Sequence, residues 1–320
     1  MAVQVESVKW IADTFLVDGF AFQSPRCTHY MLTHYHADHT VGLNRGFDAG
    51  WVYCSAVTAD LLTHDMGLPP RLVRVLEMQQ PTVVCGVRVT ALPANHCPGA
   101  VMLLFELPPF ADGSLSSGGT CASGNSGGAV SGGHTLGHGG GASGAFGGGS
   151  GGCCGIPSSG RGRRNGGCHD NSDHGGAACV PGEVILHTGD CRWQDWMAEL
   201  PALRGRRVDT LYLDTTYARP RWVLPPQRDA VVAMAAAMAA ALAEQPDTLF
   251  LMSSYHVGKE RAYFGAAAAL GLKVWVTLRK RRVLGLLQLP PEQMALLAER
   301  EEDAQIRVVG GGMRPDMLHR

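Results

Sequence analysis

Between Ala111 and Gly182 the chain carries 26 of its 42 glycines, interleaved with Ser and Ala in runs such as GHGGGASGAFGGGSGG. A tract of that composition cannot bury enough apolar surface to offset the backbone entropy of ordering it, so residues 112–182 read as a disordered insertion. Its flanks, AVMLLFELP (100–108) and EVILHTGD (183–190), are apolar and β-rich. They predict the two halves of one hairpin whose turn has been stretched, which is tolerable because loop-closure entropy grows slowly with length. The insertion contains Cys121, Cys153, Cys154, Cys168, His169, His174 and Cys179. Without the paired CxxC spacing of a structural zinc site, these read as scattered thiols.

Outside the insertion the chain alternates strands and helices. THYMLTH (28–34), WVYCS (51–55), TVVCGVRVTAL (82–92) and TLYLDTTY (210–217) predict strands, and TVGL after His39 predicts a short helix. After Trp222 come a strong helix former (228–245), a strand (248–254), a helix ended by Gly271 (258–271) and another strand (273–277). This βαβ pattern favours parallel pairing in a second α/β unit. With 45% hydrophobic residues and a net charge of -1, the chain reads as globular, and a nucleic-acid surface would have to be a local patch. The N-terminus lacks the pattern of a signal peptide, and AVVAMAAAMAAALA (230–243) is too short to span a bilayer, so a soluble intracellular protein is expected, with its ten cysteines reduced.

The chemistry is concentrated in MLTHYHADHTVGL (31–43), which places His34, His36, Asp38 and His39 within six positions. In an extended segment His34 and His36 project to one side, and Asp38 and His39 follow where the chain turns. Nothing about folding requires three imidazoles and a carboxylate in one turn, whereas borderline divalent metals take both ligand types. Further ligands are expected at other strand ends, where PANHCPGAV offers His96 and LHTGDCRW offers Asp190. His29, His64, His187 and His319 read as ordinary polar loop residues. RKRR (279–282) reads as a solvated basic run with a possible role at phosphates or in nuclear import.

THYHADH, ANHCPGAVMLLFELP, ILHTGD and LYLDTTY together resemble the successive motifs of the metallo-β-lactamase nucleases that carry a β-CASP domain. The pairing of NHCPG with LDTTY narrows the resemblance to the DNA interstrand cross-link repair branch, the Artemis and Apollo relatives. It runs from about Val5 to the C-terminus. It implies an α/β fold, a metallo-β-lactamase αββα sandwich from residues 1–111 and 183–221, followed by a partial β-CASP domain from 222–320. His34, His36 and His96 would hold one Zn2+ or similar ion. Asp38 and His39 would face a second ion, with Asp190 between the two. Asp18 in VDGF resembles the family's first-motif acid, and Asp214 the acid of the first β-CASP motif, so Asp38, Asp190 and Asp214 are the candidate catalytic acids. Ser254, Tyr255, Gly258 and Lys259 would receive a 5′-phosphate where a strand meets a helix.

The implied activity is nuclear, metal-dependent hydrolysis of DNA from a 5′ end. Two readings stand beside it. One is a metallo-hydrolase acting on RNA or on a small thioester or lactam; the other is a poorly active fragment, since the family's second β-CASP motif, with its histidine, has no counterpart here and neither His256 nor His319 replaces it. On the last reading one metal is held tightly, the second weakly, and activity is low.

Overall fold

A computed structural model of the chain describes residues 9–109 and 182–310. The glycine-rich tract with its thiols and imidazoles, Val5 and His319 lie outside the described residues.

Two five-stranded sheets form the N-terminal part. The first contains β1 (Trp10–Ile11), β2 (Phe15–Val17), β3 (His29–Met31), β4 (Trp51–Cys54) and β5 (Val73–Val75) in that order, parallel except for the β1–β2 pair. The second contains β6 (Pro81–Val84), β7 (Val87–Pro93), β8 (Val101–Glu106), β9 (Val184–His187) and β10 (Thr210–Tyr212), antiparallel except for β9–β10. Strand β8 shows why the sheets face each other. Side chains alternate sides along a strand, and here both sides are apolar: Val101, Leu103 and Phe105 join Phe15, Val17 and Met31 between the sheets. Met102 and Leu104 pack on the opposite face with Leu186, Met197 and Leu200. Helical turns cover the outer faces, α1 (Ala56–Asp60) running into a π-helical turn (Leu61–Met66) on one side and a 3-10 turn (Asp195–Glu199) on the other. The α/β sandwich expected from sequence is therefore the observed one, and the β8–β9 hairpin pairs as predicted, Leu104 opposite Leu186.

The C-terminal part has a three-stranded parallel sheet, with β13 (Ile306–Gly310) between β11 (Phe250–Ser254) and β12 (Val274–Val276). Helices α2 (Gln227–Glu244), α3 (Glu260–Leu270), α4 (Leu278–Leu286) and α5 (Pro291–Met294) accompany it. Tyr263, Phe264 and Val274 from this part share one continuous core with Tyr30, Leu32 and Leu62 of the first sheet.

Several sequence expectations need correction. Residues 82–92 are not one strand but the β6–β7 hairpin, turned by Cys85 (φ 48) and Gly86 (φ 78), the two positive dihedrals of a type I′ turn. TVGL forms a turn and no helix. Thr40 Oγ1 reaches back to the carbonyls of His36 (3.2 Å) and Ala37 (3.3 Å), a side-chain alternative to helical bonding, and Gly42 sits at φ 91. His29 and His187 lie on strands, not loops. His29 is buried between the Tyr53 hydroxyl (3.1 Å) and the Cys85 sulfur (3.0 Å), and His187 stacks on Tyr212. Cys27, Cys54, Cys97 and Cys191 are free thiols.

Candidate metal centre

Four chain segments deliver the polar groups of the site. Strand β3 runs out at Met31, and the extended residues behind it carry Thr33, His34 and His36. The 94–100 turn after β7 carries His96. The residues after β9 carry Asp190, and the 18–20 turn after β2 carries Asp18. One ligand atom from each of His34, His36, His96 and Asp190 lies within 4.8 Å of the others, and the same holds for Asp38, His39 and Asp190. Asp190 is common to both groups, with Oδ2 3.8 Å from His34 Nε2 and Oδ1 3.1 Å from His39 Nε2. His36 Nδ1 and His96 Nε2 are 3.1 Å apart.

Three of the four imidazoles, those of His34, His36 and His39, are oriented by a bond on the far side. Thr33 Oγ1 lies 3.0 Å from His34 Nδ1, the Val257 carbonyl 2.9 Å from His36 Nε2, and Asp18 Oδ2 2.7 Å from His39 Nδ1. This leaves His34 Nε2 fully buried with no hydrogen-bond partner. An orphaned imidazole nitrogen aimed at two further imidazoles and a carboxylate is the donor set of a divalent-cation site. Burial and the neighbouring imidazoles push His34 down to about 3. His39 behaves oppositely: burial disfavours its charge, but the bonds to Asp18 and Asp190 outweigh that and raise it to about 10. The hydrogen bond from His39 in turn draws Asp190 down to about 2.

Asp18 sits in left-handed backbone (φ 47), a costly conformation for a non-glycine residue, and accepts from the Thr33 amide (2.8 Å) and hydroxyl (2.7 Å). Asp214 stands outside both groups. Its carboxylate accepts from the Cys191 amide (3.1 Å) and the Thr216 amide (2.9 Å), so it fixes the backbone that carries Asp190. Gly99, at φ 82, gives the NHCPG turn its shape, and its carbonyl accepts from Ser55 Oγ (2.6 Å), the residue that also caps α1. Asn95 ties that turn to the C-terminal part through Arg261 (2.7 Å).

Of the four residues expected at a phosphate, Ser254 is buried and its hydroxyl is bonded to the carbonyls of Tyr255 and Gly258. The Gly258 amide is taken by Glu260 (3.0 Å). Tyr255 and Lys259 are exposed, the Lys259 ammonium 5.1 Å over the Tyr255 ring. Lys259, Arg261 and Arg192 line a cleft of about 910 Å³ that reaches His96. Sequence reasoning missed Thr33, Val257 and Lys280. Thr33 is signalled only by its place before His34, and a backbone carbonyl such as that of Val257 leaves no signature at all.

No protein-family model matches the chain. Among curated proteins it is 30% identical over 271 residues to the DNA cross-link repair protein SNM1 of Arabidopsis thaliana, covering 84% of this chain and 41% of that protein. The DNA cross-link repair 1A protein of Mus musculus is 30% identical over 277 residues, 86% of this chain and 20% of its own. The 5′ exonuclease Apollo of Gallus gallus is 32% identical over 263 residues, 82% and 40%. The chain is similar to the SNM1 and Apollo proteins over most of its own length. It spans about two fifths of the length of the Arabidopsis and Gallus relatives and a fifth of the Mus one. The alignments take in most of this chain, on both sides of its glycine-rich tract.

Proposed function

We propose that this chain forms the catalytic region of a metal-dependent nuclease that hydrolyses DNA from a 5′ end in the repair of interstrand cross-links, acting in the nucleus. One observation carries the reading: His34 Nε2, buried and without a partner, points into a group completed by His36, His96 and Asp190. His34, His36 and His96 would hold one Zn2+ or similar ion. Asp38 and His39 would hold a second, with Asp190 shared. A divalent cation bound there would lower the pKa of its water from about 15.7 to near 7 and neutralise charge on a phosphate.

The chain's own groups do the rest. Asp18 and Thr33 hold His39 and His34 in register, and Asp214 keeps Asp190 in place. Arg192, Lys259 and Arg261 give the cleft walls positive charge suited to a phosphate backbone. Lys259 and Tyr255, at the start of α3, are the candidate contacts for a 5′-phosphate, while Ser254 and Gly258 shape the loop that presents them. Residues 1–111 with 183–221 correspond in this reading to the metallo-β-lactamase domain, and residues 222–320 to a partial β-CASP domain.

The test is to incubate the purified, metal-loaded chain with a 5′-phosphorylated DNA strand, the same strand with a 5′-hydroxyl, the duplex, and the RNA of the same sequence. Expected is shortening of the 5′-phosphorylated DNA from its 5′ end, lost in His36→Ala. Cleavage of RNA alone, or DNA cleavage unchanged in that variant, would refute it.

A further inference from the structure

The run RKRR, read from sequence as solvated, contains one lysine that is not. The Lys280 side chain is 10% exposed, and its ammonium meets Glu260 Oε1 (2.9 Å), the carbonyls of His256 (2.8 Å) and Tyr255 (3.0 Å), and Ser254 Oγ (3.3 Å). Three of its four partners belong to the single loop 254–258. Glu260 closes that loop from the other side by accepting the Gly258 amide, and the Ser254 hydroxyl donates to the Gly258 carbonyl (2.9 Å). The path so enforced is one the backbone does not choose freely, with Gly258 at φ 113 and Lys259 at φ 65.

The loop wrapped around this ammonium is also the one that touches the metal centre. The Val257 carbonyl lies 2.9 Å from His36 Nε2, and a side chain at Gly258 would come within 3.7 Å of the same nitrogen. A carbonyl only accepts, so this bond places the ring proton on Nε2. The Nδ1 lone pair is then left facing His96 and the ligand group. Charge buried this deeply is costly unless fully paired, and here its pairing is spent on the shape of one loop. We propose that Lys280, with Glu260, is a positioning residue for the metal centre: it folds the 254–258 loop so that the Val257 carbonyl fixes the His36 imidazole with Nδ1 turned toward the ligand group. The proposal rests on the metal-centre reading above. It joins the C-terminal α/β part to His36 through the Val257 carbonyl.

The experiment uses 15N-labelled protein. Long-range 1H–15N spectra of the metal-stripped chain report the His36 tautomer, and competition against a chelator reports Zn2+ affinity. Expected for the unsubstituted chain is the Nε2–H tautomer; Nδ1–H there would overturn the proposal whatever any variant does. Lys280→Met should give a mixed tautomer and Zn2+ binding weakened about 10- to 100-fold, the usual effect of losing a group that orients a ligand. If Lys280→Met does not fold because Glu260 is left unpaired, the pair Lys280→Met with Glu260→Gln removes both charges and is read the same way. A folded variant that keeps the Nε2–H tautomer and undiminished affinity would overturn it. An unsubstituted chain that binds no Zn2+ would refute the metal-centre reading, while the tautomer comparison would still decide the role of Lys280.

Discussion

His39 Nδ1 lies 2.7 Å from Asp18 Oδ2, and the two residues come from different turns of the first sheet, 21 positions apart. Asp18 is 6% exposed, and burial alone would raise its carboxyl. The hydrogen bond and charge of His39, with the Thr33 donors, hold it below the usual carboxylate range instead. The pair therefore orients His39 and, with no metal bound, forms a largely buried ion pair.

A pH dependence follows. His39 titrates near 10 in the fold against an ordinary 6.5, so its contribution is fully present below about pH 6.5 and is lost as pH rises through about 10. Asp18 is shifted down, so its contribution is present above its ordinary 3.8 and lost in stronger acid. In metal-stripped protein, Asp18→Asn should lower the melting temperature most between about pH 4 and 6.5, with the difference from the parent shrinking toward pH 10. A difference that stays constant from about pH 4 to pH 10 would contradict the ion pair.

Gly99→Ala should damage the centre without touching a ligand. At φ 82 an added Cβ is strained, and it would come 2.8 Å from Thr58 Oγ1 and 3.1 Å from Ser55 Oγ. We expect a loss of about 1–3 kcal/mol in stability, together with weaker metal binding because the NHCPG turn carries His96. Denaturant melts and metal titration of the variant check both effects.

Removing residues 112–181 and joining the strands by a short turn should leave the fold and metal binding intact. The Leu107 amide already bonds the Glu183 carbonyl at 2.9 Å, so the two ends meet at the end of the β8–β9 pair. Insoluble or metal-free product from the shortened chain would show that the tract packs against the rest.

The ligand cluster was legible because it is local. Four of its six residues fall between His34 and His39, and His96 and Asp190 follow apolar strands that sequence alone delimits. What lay hidden depends on tertiary contact. Cys85 in a left-handed turn reads as a strand interior, since its neighbours are β-branched. TVGL is too short to nucleate a helix against the competing Thr40 hydroxyl. Lys280 looks solvated among three arginines until the fold brings Glu260 and two carbonyls to it, and β13 falls at the end of the chain yet becomes the centre of its sheet.

The central claim is that His34, His36, His96, Asp38, His39 and Asp190 bind metal, and the most direct measurement is the metal content of the purified chain beside that of His34→Ala with His36→Ala. Elemental analysis after dialysis should find at least one equivalent of Zn2+ or a similar divalent ion in the parent. It should find none above background in the double variant, with circular dichroism showing that the variant still folds. Stoichiometric metal retained by a folded double variant would contradict the account.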